Sequence, residues 1–482
     1  MSSNSQPVHE RARTKIVATV GPACFSEEKL GELIAAGVDV FRINTAHGTV
    51  DEHDNVLSNL RAAASLQERP IGVLVDLAGP KIRLGQLVED PLVCSLGADF
   101  DFVAGEKPQA KNELTTNYAM LLDELREGDR ILLADGTVGM FVTKKDSGRI
   151  RCQVFAPGIL RSRQGVNLPG VKLSVPSMTD KDHQHAVWAA KQNVDFVSLS
   201  FVRSPEEIRQ LKVLLRELGS QAMTIAKIEK PEALEHLDDI VLASDGIMVA
   251  RGDLGVEIDI EQTPVEQKRI IDSCTKHRRP VIVATQMLDS MQHARRPTRA
   301  EASDVANAIL DGADACMLSG ETAIGDYPQE AVEVMNRIML ATECRLVESP
   351  PPRIDHDPIR ASVHPVTEAV VYGAARIAER LKAKAVAIQT HSGRTALAKA
   401  KQRVPIPSIG VSDDPQTLRK MALFWGIEPV AGAPEDVTEL RNFIDKWGQE
   451  HGVLVPGDLV VLMASGDFKA GAHNRVVVHE VS

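Results

Sequence analysis

Met223-Thr-Ile-Ala-Lys-Ile-Glu-Lys230 and Gly246-Ile-Met-Val-Ala-Arg-Gly-Asp-Leu-Gly255 are two short apolar runs that each end in charge. Each reads as a buried β-strand that stops at a polar cluster. Lys227 and Glu229 stand two apart, so along a strand they point the same way. If the runs are parallel neighbours, their ends lie about 4.8 Å apart when adjacent and about 10 Å apart when next-adjacent. Glu229 and Asp253 could then share one hard cation beside the Lys227 ammonium. Such a set suits negative charge on a small oxyanion substrate.

Working outward, the same alternation of apolar run and amphipathic stretch recurs. Candidate strands are Lys15–Val20, Val38–Asn44, Ile71–Leu77, Val194–Ser200, Met223–Glu229, Gly246–Asp253, Pro280–Gln286 and Ala315–Thr322. Helix-like stretches between them include Glu27–Ala36, Asp182–Lys191, Pro205–Leu218, Thr263–Lys276, Arg299–Ile309 and Gln329–Glu348. Eight strands alternating with helices predict an α/β fold, a (β/α)8 TIM barrel. A doubly wound open sheet is the alternative, and the count of eight favours the barrel. Polar residues close nearly every run: Arg42, Asn44, Asp76, Ser200, Lys227, Glu229, Asp253, Thr285, Glu321 and Thr322. In a barrel these ends converge on the face where active sites form.

The barrel is expected over residues 14–84 and 171–348. Between them, residues 85–170 lose the helix pattern and show turn signals at Glu127-Gly-Asp129, Ala134-Asp-Gly136 and Asp146-Ser-Gly148. Short runs such as Arg130–Leu133 and Val138–Thr143 predict a small β-barrel inserted in a βα loop, placed to act as a lid. Pro350-Pro-Pro352 marks a linker. Residues 353–482 then predict a separate α/β domain with a mostly parallel sheet, its strands at Ala385–Thr390, Ile406–Val411, Leu459–Ala464 and Val476–Glu480. Helices are expected at Val366–Lys382 and Gly393–Arg403. Residues 1–13 read as a flexible tail.

Composition narrows the function. The formal net charge of −11 argues against nucleic acid as the main partner, so an anionic substrate needs locally placed cations. No run approaches the roughly 20 apolar residues of a membrane span, and the N-terminus lacks the apolar core of a secretory signal. The six cysteines form no C-x-x-C pair, which predicts buried free thiols and a cytoplasmic protein. There is no P-loop, no G-x-G-x-x-G fingerprint after a strand, no G-x-S-x-G elbow and no H-E-x-x-H helix.

Among single residues, Glu229 and Asp253 are the metal candidates, and two carboxylates plus substrate oxygens suit Mg²⁺. Arg42 offers a planar fork suited to phosphate, and equally suits an ion pair. In Val75-Asp-Leu-Ala-Gly-Pro-Lys-Ile-Arg83, Lys81 and Arg83 share a side if extended. They could bind anions, or Lys81 could pair with Asp76. His47 lies near the site by position alone, and His183 and His185 read as exposed on a helix.

These runs resemble the pyruvate kinase family. The motifs are Thr14-Lys-Ile-Val-Ala-Thr-Val-Gly-Pro22, Phe41-Arg-Ile-Asn-Thr-Ala-His-Gly48, Gly165-Val-Asn-Leu-Pro-Gly170, Ala226-Lys-Ile-Glu229 and Ser244 through Gly255. The longest runs from Ala284-Thr-Gln-Met-Leu through Arg296-Pro-Thr-Arg-Ala-Glu301 to Met317-Leu-Ser-Gly-Glu-Thr-Ala323. The resemblance implies phosphoryl transfer from phosphoenolpyruvate to ADP, giving pyruvate and ATP. By motif, Glu229 and Asp253 would hold Mg²⁺, and a second Mg²⁺ would arrive with ADP. Lys227 would stabilise the moving phosphoryl group and the enolate, and Arg42 would grip the phosphoryl group. The backbone of Ala250, Arg251 and Gly252, with Asp253 and Thr285, would seat the substrate. Thr285 would lie near the face where the enolate is protonated, the proton donor being open. Asn44, His47 and Arg83 would face the nucleotide.

The chain departs from the family where many members bind K⁺. It has Ala46 for a serine, Leu77-Ala78 for Thr-Lys, and Lys81 for a glutamate. Lys81 is therefore expected to replace K⁺, leaving activity independent of that ion. Arg163-Gln164 stands where a lysine pair is usual. In the C-terminal domain, Thr390-His391-Ser392-Gly393-Arg394-Thr395 matches the loop that holds an effector phosphate. The last loop, Ser465 through Asn474, lacks the Trp- and Pro-containing pattern of some bisphosphate-activated relatives, so a sugar phosphate effector is expected with its identity open. A homotetramer is implied too. Two other readings are weighed: a carbon–carbon lyase of the phosphoenolpyruvate/pyruvate barrel class, and a catalytically silent homologue.

Overall fold

Eight short strands close into a parallel barrel in the computed structural model, which describes residues 11–105, 107–348, 363–465 and 473–482. They are β1 (Lys15–Thr19), β2 (Val40–Asn44), β3 (Gly72–Leu77), β4 (Phe196–Leu199), β5 (Met223–Ile228), β6 (Gly246–Ala250), β7 (Val281–Ala284) and β8 (Ala315–Leu318). Each hydrogen-bonds to its sequence neighbour, and β1 pairs with β8 to close the ring. The runs are largely apolar because both strand faces are covered, the inner by the lumen and the outer by helices. The surrounding helices start on capping boxes such as Thr49 with Glu52 and Thr298 with Glu301.

All eight barrel strands are shorter than expected, and two stop well before the charged residues expected at their ends. β6 ends at Ala250, and Asp253 lies on the helix Arg251–Glu257. β8 ends at Leu318, and Glu321 and Thr322 lie on the helix Gly320–Ala323. Both turn residues inward as brackets: Glu321 accepts from the backbone N–H groups of Leu288 and Ser319, and Thr322 donates to the Thr19 carbonyl.

A fourfold pattern at the opposite end of the barrel escaped the sequence reading. Asp39, Asp195, Asp245 and Asp314 each stand at or just before the start of an even-numbered strand. Their carboxylates accept the backbone N–H of Ile16, Val73, Thr224 and Val281 on the odd-numbered strand before, at 2.8–3.0 Å. Each aspartate returns its own N–H to the carbonyl of that same residue. The double link sets the register of four strand pairs, where a one-residue slip would reverse every side chain.

Two of these aspartates also dock the C-terminal domain. Asp195 meets Arg419 at 2.9 Å, and Asp314 meets Lys401 at 2.8 Å and Arg403 at 3.0 Å. Lys15 donates to the Ile427 carbonyl, and Arg278 pairs with Glu368. The lower lumen residues Val17, Leu74, Phe196 and Met248 form one buried cluster with Met421, Leu423 and Phe424. The C-terminal domain thus plugs the N-terminal end of the barrel and leaves the other end for chemistry.

That domain is a five-stranded sheet, parallel apart from its last strand, His473–Glu480. It contains an edge strand, Ile427–Ala431, that the sequence reading did not assign. Glu428 and Pro429 interrupt its apolar pattern, and an edge position tolerates both. Residues 92–167 build a six-stranded and a two-stranded sheet around a shared core that includes Phe102, Ile131 and Val154. Of the expected N-terminal tail, residues 11–13 are held in place, with the Arg13 N–H donating to Glu343. The first ten residues, the Pro350–Pro352 linker and the centre of the last loop lie outside the described residues. All six cysteines are free, but Cys344 is exposed rather than buried. His185, expected to be exposed, is buried and packs against the His53 ring, which also meets Trp188, while His183 is exposed as expected. Among the described residues no helix is long and apolar enough to cross a membrane.

Candidate active site

At the C-terminal ends of β2, β3, β4 and β5, one buried carboxylate organises the cations. Asp76 accepts from the Arg42 guanidinium at 2.5 and 2.8 Å, from the Ser198 hydroxyl at 2.6 Å and from Lys227 at 3.4 Å. Burial alone would raise the Asp76 carboxyl, but Lys227 and Arg42 outweigh it and hold it below the ordinary range. Asp76 does not pair with Lys81, one of the two readings that spacing left open. Arg42 is both an ion-pair partner and a barrel-mouth donor, and its remaining fork nitrogen reaches the Thr19 hydroxyl at 3.2 Å.

Lys227 sits among three oxygens: Ser200 at 2.7 Å, Glu229 at 2.9 Å and Asp76 at 3.4 Å. Burial would lower its pKa, and Asp76 and Glu229 more than reverse that, so the ammonium stays charged. Glu229 is fully buried. One oxygen accepts the Phe201 N–H at 2.7 Å, while the other faces Lys227 without hydrogen-bond geometry. Burial, reinforced by the nearby Asp253 charge, pushes the Glu229 carboxyl up. A buried carboxylate oxygen lacking a directed partner is what a cation ligand looks like before the cation arrives. No group of three or more His, Cys, Asp or Glu gathers among the described residues. A metal held by Glu229 and Asp253 would therefore complete its shell with water and substrate oxygens, which is the habit of Mg²⁺.

Lys81 donates to Asp253 at 3.0 Å. The ammonium thus comes from the β3 loop to the second metal candidate. Beside them, Thr285 adopts φ 68° and Gln286 φ 54°, a left-handed backbone that a β-branched residue adopts only under constraint. The constraint is visible. The Thr285 hydroxyl donates to the Ala284 carbonyl and accepts the Gly252 N–H at 2.7 Å. From behind, Arg251 holds the Thr285 carbonyl at 2.8 Å and Asp304 at 2.7 Å. The Arg251 side chain is therefore a brace for this turn, and only its backbone lines the mouth.

Asn44 ends β2 and accepts the Ala46 N–H. His47 is exposed on the following loop. Arg83 reaches the Arg163 carbonyl at 3.3 Å, while Gln164 is tied to the Arg161 N–H.

Residues 11–332 match the family model described as pyruvate kinase, barrel domain, and residues 368–479 match that of the pyruvate kinase alpha/beta domain. The chain belongs to the pyruvate kinase family. A pyruvate kinase of Mycobacterium intracellulare is 40% identical over 471 residues, covering 97% of this chain and 98% of the relative. One from Corynebacterium efficiens is 42% identical over 469 residues, covering 97% of each. A crystal structure of a pyruvate kinase from Cryptosporidium parvum superposes with a TM-score of 0.88 at 32% identity, covering 98% of this chain and 97% of that one.

Within this pyruvate kinase fold, one junction went unnoticed in the sequence. Glu257 accepts Lys230 at 2.7 Å and the Asn167 amide at 3.0 Å, all three buried. Asn167 belongs to the inserted β-region, Lys230 follows Glu229, and Glu257 shares a helix with Asp253 at i+4. One carboxylate thus ties the inserted β-region to the two segments that carry Glu229 and Asp253. The legible signal is the i, i+4 spacing of Asp253 and Glu257. Asn167→Ala is expected to cost about 1–3 kcal/mol, because Glu257 Oε1 loses one of its two donors and keeps Lys230. It should also speed amide exchange in Val166–Asn167 beyond the barrel strands, as hydrogen-exchange mass spectrometry would read. Unchanged exchange there would show that the junction does not hold the inserted β-region in place.

The loop Thr390–Thr395 lies far from this mouth, on the C-terminal domain beyond the other end of the barrel. Gly393 takes φ 74°, its N–H donates to the Thr390 hydroxyl, and the Thr417 hydroxyl donates to the His391 carbonyl. Ser392 and Arg394 are exposed.

Proposed function

We propose that the barrel mouth transfers the phosphoryl group of phosphoenolpyruvate to ADP, giving pyruvate and ATP. The observation that carries this reading is the buried, charged Lys227 held between Asp76, Ser200 and Glu229 at the converging strand ends. The bond between phosphorus and the enol oxygen breaks as a terminal ADP oxygen attacks, and the enolate left behind takes a proton at carbon. Lys227 balances charge on both the phosphoryl group and the enolate oxygen. Arg42, oriented by Asp76, grips the phosphoryl group. Such transfer needs positioning and charge neutralisation more than covalent catalysis.

Glu229 and Asp253 would hold Mg²⁺, which, when bound, neutralises oxygens of the substrate. The strained Thr285 turn and the backbone at Ala250–Gly252 shape the seat of the carboxylate. Asn44, His47 and Arg83 face the nucleotide, which brings its own Mg²⁺. The inserted β-region, tied down at Asn167, excludes water that would compete as acceptor. A coupled pyruvate assay tests the reading: pyruvate must appear only with ADP. Pyruvate formation without ADP would favour a lyase, and none under any condition a silent homologue.

Lys81 takes the place of K⁺. Its ammonium already lies 3.0 Å from Asp253, so a monovalent charge is covalently supplied beside the metal site. In buffer containing only a bulky organic cation, added KCl should leave the rate unchanged, whereas Lys81→Glu should make it K⁺-dependent. Strong activation of the parent protein by KCl would overturn this. The Thr390–Thr395 loop binds the phosphate of a sugar phosphate effector, and the protein assembles as a homotetramer in the cytoplasm. Light scattering tests the assembly.

A further inference from the structure

The loop that follows β2 carries His47 and is pinned on both sides. On the first side, the Thr45 N–H and hydroxyl both donate to the Asp76 carbonyl, at 3.1 and 2.8 Å. Asp76 is the residue whose carboxylate orients Arg42 and Lys227. On the second side, the His47 carbonyl meets Nε2 of His53 at 2.9 Å. A carbonyl only accepts, so Nε2 carries the proton and the ring donates. Gly48 closes the turn at φ 80°, and a Cβ there would come to 3.1 Å from that same Nε2. The His47 side chain is exposed, so its direction is set by this backbone.

Packing alone does not account for His53. The residue is buried on the helix Val50–Leu66, and its ring lies 5.4 Å from the His185 ring and 5.6 Å from the Trp188 ring, centroid to centroid. Both neighbours stand on the helix Asp180–Lys191. Within this wall His53 Nδ1 is buried, and no described residue donates to it. A buried polar atom without a partner costs stability that an apolar side chain of similar shape would not. The nearby carboxylates are engaged elsewhere: Glu52 with Thr49, Asp54 with Trp188 and Gln192, and Asp182 with Thr179 and the Gly79 N–H. Among the described residues, the only hydrogen bond of the ring goes to the His47 loop.

We propose that His53 is a positioning residue for ADP. Its Nε2–H holds the His47 carbonyl, fixes the loop between β2 and the helix, and so sets the direction in which His47 meets the nucleotide. The proposal rests on the reading that this loop faces the nucleotide. His53 touches no reacting atom and acts through the backbone of His47. That contact is the same before and during phosphoryl transfer, so its loss weakens ADP binding and leaves the chemical step in place. Arg42 and Lys227, which bear on phosphoenolpyruvate, take their orientation from Asp76 rather than from this ring.

Steady-state kinetics of His53→Leu, His53→Gln and His53→Asn, with His47→Ala beside them, test this. His53→Leu should raise the KM for ADP about five- to tenfold, the loss of one hydrogen bond. The turnover number and the KM for phosphoenolpyruvate should stay within about twofold of the parent. The side-chain nitrogen of glutamine stands as many bonds from Cβ as Nε2 does, and that of asparagine matches Nδ1. His53→Gln should therefore restore the KM for ADP, and His53→Asn should not. If His53→Leu fails to fold, as its melting curve would show, the comparison of glutamine with asparagine decides. Equal KM values for those two variants would overturn the proposal. So would parallel losses for both substrates with a lowered melting temperature, which mark a purely structural histidine. If His47→Ala raises the KM for ADP and His53→Leu does not, the nucleotide reading stands and the positioning role falls. If neither raises it, both fall.

Discussion

Lys227→Met is expected to lower the turnover number about a thousandfold or more, with the protein folded and phosphoenolpyruvate still bound. Removal of a single oriented donor to a developing oxyanion costs about 10²–10³-fold, and here the donor also carries the full charge. No neighbour can replace it. Arg42 is the nearest other cation, and its fork is committed to Asp76 and Thr19. The substitution also removes the main attraction that holds Asp76 below the ordinary carboxylate range. A carboxyl depressed in the folded state contributes stability above its unfolded pKa and loses it as pH falls through the folded pKa. With Lys227 gone that contribution shrinks, so the variant should unfold at a higher pH than the parent during acid titration. A coupled pyruvate assay at pH 7 and circular dichroism through an acid titration from pH 7 to below pH 4 read the two effects. A loss under tenfold would remove Lys227 from the chemistry.

Asp314→Ala should produce the largest loss of stability, about 3–5 kcal/mol. In the parent protein Asp314 is completely buried and satisfies Lys401, Arg403 and the Val281 N–H together. Burial already lowers the pKa of Lys401, and the Asp314 charge is the main influence opposing it. Without the carboxylate, Lys401 is driven toward its neutral form and the domain junction holds an uncompensated Arg403. Asp245→Ala is the internal comparison. It has the same place in the fourfold pattern, but its partner Lys212 is partly exposed and belongs to the barrel. Its cost should be clearly smaller. Urea denaturation, followed by a probe in each domain, measures both. Equal losses, or a loss under 1 kcal/mol for Asp314→Ala, would show that docking adds nothing to the aspartate's role in the barrel.

Much of this molecule is legible from local pattern. Largely apolar runs of four to six residues mark β1 to β8 because a parallel strand is buried on both faces. Lys227 and Glu229 are legible because a two-residue repeat on a strand fixes their common side, and the 2.9 Å contact agrees. Asp253 shows the limit of that logic. The strand was expected to run on to Asp253, but the chain turns into a helix at Arg251, whose guanidinium folds back onto the Ala284 and Thr285 carbonyls. The edge strand at Ile427 was obscured by Pro429 for a related reason: its solvent side does not need the pattern. The four aspartates at the strand starts were visible as residues, and their common position becomes meaningful only once odd and even strands are paired.

By itself, the sequence determined the number of strands, the face on which chemistry gathers and the residue types that gather there. These depend on burial and on spacing along one chain, both local properties. Only the tertiary structure decided which charges meet: Asp76 with Arg42 and Lys227, Lys81 with Asp253, Glu257 with Asn167 and Lys230. Those partners lie 27 to 172 residues apart. Electrostatic pairing depends on distance through space and on the burial of both groups, and neither is written in the order of residues.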